Sequence, residues 1–153
     1  MSARKRVSAR KRASAPKPRR ATAAKAFALR PVGFIRSTLT ERKGAPRQGS
    51  EGAPDAWLEI EPWAADALFR IKAGDELIVI TWLHQGRRDV FKVYPRNDPR
   101  HRLHGVFATR SPDRPNPLGL HPVTVRRRAG LRLRIGPIEA IDGTPVVDVK
   151  SVL

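Results

Sequence analysis

The sequence contains no cysteine, which excludes disulfides and thiolate metal ligands. No apolar run approaches the ~18 residues needed to span a bilayer, and no apolar h-region of a secretory signal opens the chain. No membrane partner is therefore expected, and the expected compartment is the cytoplasm. No GxGxxG turn is present, so the dinucleotide-binding fingerprint is missing. Two glycines, Gly44 and Gly49, are spaced like those of a P-loop, but the lysine before Ser50 is missing. Pro46 also removes a backbone N–H that would grip phosphate. There is no GxSxG elbow, and Ser111 has no obvious partner base. His101 and His104 form an HxxH pair without a ligand set to complete it, so no metal is expected.

Acidic residues are missing from one end. Residues 1–30 hold 11 Lys and Arg and no Asp or Glu, leaving 20 basic against 14 acidic residues in 31–153. The chain's net charge of +17 thus falls to +6 for the body. The segment repeats SARKR at 2–6 and 8–12 and has almost no large apolar residue before Phe27. It cannot bury enough surface to offset its ordering entropy, so 1–29 is expected to be a disordered basic tail and 30–153 the folded domain. Basic tails neutralise phosphates, which makes RNA the expected tail contact. The other readings of the tail are a solubilising overhang and a mitochondrial presequence.

The body alternates short apolar runs with turn signals. PVGFIRS, WLEI (57–60), ELIVITWL (76–83), VFKVY (90–94), HGVFATR (104–110), HPVTVRR (121–127), LRLRI (131–135) and PVVDVK (145–150) read as strands. Val32 and Phe34 are expected to face inward in the first, joined by Ile35. ELIVITWL is nearly continuous in apolar residues, as a strand covered on both faces would be. In LRLRI, Leu131, Leu133 and Ile135 share one face. PWAADALFRI (62–71) reads as one short helix, with Pro62 at its first position and Ala64, Leu68 and Ile71 on one side. Parallel sheets need crossover connections for which there is no room. The expected fold is all-β, a compact barrel of short, mostly antiparallel strands with one accessory helix.

One loop stands out. GVFATRSPDRPNPLGL (105–120) carries Pro112, Pro115 and Pro117 within six residues. Proline fixes its own φ and restricts its predecessor, so Ser111, Arg114 and Asn116 lose freedom before any ligand arrives. A preorganised loop spends little entropy on binding. Arg110 and Arg114 offer planar forks for a carboxylate or phosphate, and Asn116 offers a donor and an acceptor. A Pro-rich surface turn is the structural alternative.

This string closely resembles the signature of the TsaA-like family, the tRNA methyltransferase O (TrmO) family. VGFIRS followed by GAPRQ, LIVITWLHQ, and IEAIDGTPVVDVK resemble further family blocks in the same order. The resemblance runs from about Pro31 to Lys150. The chain departs from it at DVKSVL, where a Pro-Tyr is common, and at GDELIVI, where a Ser-His pair is common. The resemblance implies a β-barrel, a homodimer, and S-adenosylmethionine as cofactor. It places that cofactor against Pro46, Arg47, Gln48, His84, Gln85, Arg110, Leu120 and the stretch Gly136, Pro137, Ile138 and Glu139. The rigid loop adds Ser111, Arg114 and Asn116 to the expected set. Arg47 or Arg110 could hold the cofactor's carboxylate, and Glu139 could face its ammonium or sulfonium. The family reaction, methylation of N6 of N6-threonylcarbamoyladenosine beside the tRNA anticodon, must remove a proton from a poorly basic nitrogen. His84, Asp142 and Asp148 are the candidate bases. The alternatives are a family member acting on another small molecule or nucleoside, and a non-catalytic nucleic-acid-binding barrel.

Overall fold

The computed structural model describes residues 25–153. Of the expected tail, 1–24 lies outside the described residues, and 25–30 is exposed coil. Eight strands follow: β1 (Gly33–Arg36), β2 (Ala56–Ile60), β3 (Glu76–Trp82), β4 (Lys92–Val93), β5 (His104–Gly105), β6 (Leu118–Ala129), β7 (Arg132–Gly136) and β8 (Pro145–Ser151). Six close into an antiparallel barrel in the order β1-β2-β7-β6-β3-β8, and β4 pairs with β5 outside it. This is the expected all-β barrel.

Period-two alternation fills the barrel. Ile35, Leu58, Val79, Val125, Leu133, Ile135 and Val146 are all buried inside. Each such aliphatic side chain contributes about 1.5–3 kcal/mol on leaving water. The inward set of β7 is as its alternation predicts, with Leu133 and Ile135 buried and Leu131 packed against them.

Several local expectations change. In β1 the inward residues are Gly33 and Ile35, while Phe34 is half-buried on the outer face. The reason is register, because Ile35 pairs with the inward Leu58 and Phe34 with the outward Glu59. In β3, Leu77, Val79 and Thr81 face in and the residues between them are half-exposed, so the strand is covered on one face only. The accessory helix forms as a 3-10 helix over Pro62–Leu68, with Ala64 and Leu68 buried. It stops before Arg70, which adopts a left-handed φ of 69°. Residues 104–110 do not form one strand, because His104–Gly105 gives way to a 3-10 turn at Val106–Ala108. The carbonyls a ladder would use are taken by the Arg114 guanidinium, which donates to Val106 O at 2.6 Å and Thr109 O at 3.2 Å.

Candidate functional site

One end of the barrel opens into a cleft of about 680 Å³, within the usual range for small-molecule sites. Its walls come from the 42–50 loop, the turn after β3, the Tyr94–Asn97 turn, the rigid loop, the start of β6 and the chain after β7.

The walls are joined through Asp113 and Arg42. Asp113 Oδ1 accepts from Arg42 Nη2 at 3.1 Å and from the Arg87 backbone N–H at 2.8 Å. Arg42 Nη1 also donates to Gln85 O at 2.8 Å. One guanidinium thus ties the 42–50 loop to both the His84–Gln85 turn and the rigid loop. Glu51 and Arg96 add a second tie at 2.6 Å, and the Arg96 hydrogen bond holds the Glu51 carboxyl below its usual range. The rigid loop also braces itself. Ser111 Oγ accepts from the Asp113 N–H, and Asn116 Oδ1 accepts from Arg88 Nη2.

A hydrogen-bonded chain runs from the barrel interior to the cleft wall, where His121 and Glu139 line it. Thr81 Oγ1 and His121 Nε2 are 2.7 Å apart, and His121 Nδ1 is 2.8 Å from Glu139 Oε1. Thr81 and His121 are buried. A carboxylate only accepts, so Nδ1 carries a proton, and in the neutral ring Nε2 accepts the Thr81 hydroxyl. Gly119 makes room for this chain. A Cβ there would lie 2.5 Å from Thr81 Oγ1 and 2.7 Å from His121 Nε2. Gly49 does the same for the opposite wall, where a Cβ would lie 2.6 Å from Pro137 O and 3.5 Å from Glu139 Oε2. Glu139 therefore has one oxygen bound by His121 and the other turned toward the Gly49 wall.

The cleft's charges are unevenly matched. Of its two lining carboxylates, Asp113 is paired with Arg42, whereas Glu139 has no Lys or Arg partner among the described residues. Arg47 and Arg110 line the cleft exposed; Arg110 pairs with no acid among the described residues, and Arg47 makes no salt bridge although it lies near Glu51 and helps lower that carboxyl. The site can therefore receive a small molecule that carries both a carboxylate and a cation.

The cleft brings together Pro46, Arg47, Gln48, His84, Gln85, Arg110, Ser111, Leu120, Pro137 and Glu139. Other expected residues do not line it. Arg114 and Asn116 are engaged in bracing the loop. Gly136 and Ile138 are buried behind the wall. Asp142 accepts from the Ser37 N–H at 3.0 Å in a turn beside β1. Asp148 sits outward on β8, 3.6 Å from Lys150 Nζ, and borders a separate depression with Val32 and Leu77. Sequence reasoning missed Arg42, Thr81, Asp113 and His121. Alternation carried a signal for two of them, since Thr81 follows inward Leu77 and Val79, and His121 precedes inward Val123 and Val125. A polar residue in an inward register position needs a polar partner.

Comparison with known proteins identifies the family. The chain is 45% identical over 122 residues to a probable S-adenosyl-L-methionine-binding protein of Archaeoglobus fulgidus, covering 80% of this chain and 33% of that one. It is 36% identical over 138 residues to the tRNA (adenine(37)-N6)-methyltransferase of Escherichia coli, covering 83% and 58%. A crystal structure of TrmO from Pseudomonas aeruginosa superposes with a TM-score of 0.67 at 29% identity, over 85% of this chain and 56% of that one. The chain thus spans a third of the archaeal relative and little more than half of the solved structure. Residues 34–153 match the family described as the tRNA-methyltransferase O N-terminal domain, and the chain belongs to that family.

Proposed function

We propose that the chain binds S-adenosylmethionine in the cleft and methylates a tRNA nucleoside, N6 of N6-threonylcarbamoyladenosine. The observation that carries this reading is the charge pattern of the cleft. Arg110 is free for a carboxylate, Arg47 beside Glu51 makes no salt bridge of its own, and Glu139 is a carboxylate without a Lys or Arg among the described residues. Those are the complements of an amino-acid sulfonium. The relatives named for binding S-adenosylmethionine, and the Escherichia coli enzyme named for methylating adenine 37 of tRNA, support the same assignment.

S-adenosylmethionine, when bound, supplies a methyl group on a sulfonium, which becomes a neutral thioether once the acceptor nitrogen has taken the methyl. The chain's own residues hold and orient. Arg47 and Arg110 would hold the carboxylate, and Glu139, oriented by His121, would face the cation. The acceptor nitrogen must release its proton. Among the three candidate bases only His84 lines the cleft, which supports His84 as the group that accepts it. The rigid walls bring donor and acceptor into one geometry, which is the larger part of the catalysis asked of the protein.

Phe91, Leu103 and Phe107 stand exposed on the β4–β5 side of the cleft, and a homodimer would cover them. Light scattering that reports a monomer with full cofactor affinity would count against it. Residues 1–29 add RNA affinity through their basic charge, and a cytoplasmic location accords with a tRNA substrate. The test in cells is mass spectrometry of tRNA nucleosides from a strain lacking the gene. Loss of the N6-methylated form, restored by this chain, is expected. An unchanged nucleoside profile would point to another acceptor.

A further inference from the structure

The outer face of the barrel over β1, β2, β7 and β6 carries a row of residues paired across all four strands. Arg36 pairs with Trp57, Trp57 with Arg134, and Arg134 with Arg127. Strand spacing makes this row ~14 Å wide. Arg132 lies one register step away with its guanidinium 4.4 Å from the Trp57 ring centroid, and Arg134 lies 5.7 Å from the same ring. Arg126 is beside them on the bulge of β6.

Five guanidiniums on this face meet two carboxylates. Glu59 serves both Arg36 and Arg132, and Asp55 serves Arg126. Arg127 and Arg134 have no acidic partner among the described residues. The face therefore carries a net +3, half of the +6 of residues 31–153. Contact with Trp57 restrains Arg132 and Arg134 in advance, which lowers the ordering cost of binding. The face also leads to the cleft. Arg134 precedes the cleft-lining Pro137 by three residues, ~10 Å of strand.

We infer that this face is a docking surface for the phosphate backbone of RNA next to the nucleotide held in the cleft. The inference rests on the proposal that the acceptor is tRNA. Phosphates match an excess of guanidiniums on a rigid sheet, and arginine forks engage their oxygens in pairs. Salt-dependent affinity without base specificity is expected from this surface.

The experiment measures binding of full-length protein to bulk tRNA by fluorescence anisotropy across a salt series. The double variant Arg127→Glu/Arg134→Glu should lose about 1.4–1.8 from the slope of log K against log salt, about 0.7–0.9 per phosphate contact. Arg127→Lys/Arg134→Lys should keep the wild-type slope, which separates loss of charge from loss of fold. Affinity for S-adenosylmethionine should stay unchanged in both. A control pair on the β4–β5 side, Lys92→Glu/Arg102→Glu, should change the slope by less than the face variant. An unaltered slope in Arg127→Glu/Arg134→Glu, or an equal loss in the control pair, overturns the inference. Methyl transfer to tRNA with an unaltered slope would remove the surface and leave the proposed function. A reduced slope without methyl transfer would do the reverse.

Discussion

Replacing Glu139 with glutamine removes the cleft's unmatched negative charge and little else. A glutamine oxygen can still accept from His121 Nδ1, which lies 2.8 Å from Glu139 Oε1, so the chain to Thr81 survives. The second oxygen, toward Gly49, becomes an amide that repels a cation. Two unit charges ~4 Å apart attract by about 4 kcal/mol at an effective dielectric of about 20. The Glu139 side chain is 19% exposed, and solvent screening reduces that figure toward the ~1.5–3 kcal/mol of a hydrogen bond to a charged group. The expected loss of S-adenosylmethionine affinity is thus about 10- to 150-fold. Calorimetry reads it directly. Titration with S-adenosylhomocysteine, which keeps the ammonium but lacks the sulfonium, locates the contact. Equal weakening of both ligands places Glu139 at the ammonium, and weakening of the methylated ligand alone places it at the sulfonium. If both bind the variant as they bind wild type, Glu139 does not receive the cation and the charge argument fails.

Three further outcomes follow from the same structure. Arg110→Ala should weaken S-adenosylmethionine by about 1.5–3 kcal/mol if its fork meets the carboxylate, and calorimetry showing equal affinity would remove Arg110 from the site. Gly119→Ala puts a methyl 2.5 Å from Thr81 Oγ1 and 2.7 Å from His121 Nε2, so overpacking plus a broken buried hydrogen bond should cost about 2–4 kcal/mol. An unshifted thermal melt of that variant would contradict the packing described. Deleting residues 1–29 should leave the melting temperature unchanged and weaken tRNA binding at low salt; a marked fall in melting temperature would mean that the segment is part of the folded domain.

The barrel was legible wherever alternation was clean. Leu133 and Ile135 fall where a period of two puts them, and the antiparallel barrel follows from many short strands without room for crossovers. Alternation failed where apolar residues were adjacent. Phe34 and Ile35 both look inward in sequence, and only pairing with β2 decides between them. The 104–110 run reads as a strand because nothing local reveals that Arg114, several residues later, takes its carbonyls. The cleft was legible through the rigid loop and the resemblance, which together named Arg47, His84, Arg110 and Glu139. Its internal order was not. Asp113 and Arg42 are 71 residues apart, and Thr81 and His121 are 40 apart. Such contacts arise from strand order, which the sequence pattern alone does not specify. Asp142 and Asp148 looked equivalent as bases, yet one caps a turn and the other faces out from β8.

The most direct test of the central claim is methyl transfer in vitro. Purified protein is incubated with S-adenosylmethionine labelled in its methyl group and with two tRNA pools, one carrying N6-threonylcarbamoyladenosine and one lacking it. Label is expected in the first pool alone, with His84→Ala slowing transfer more than it weakens cofactor binding. Label in neither pool, with cofactor binding intact, would contradict it.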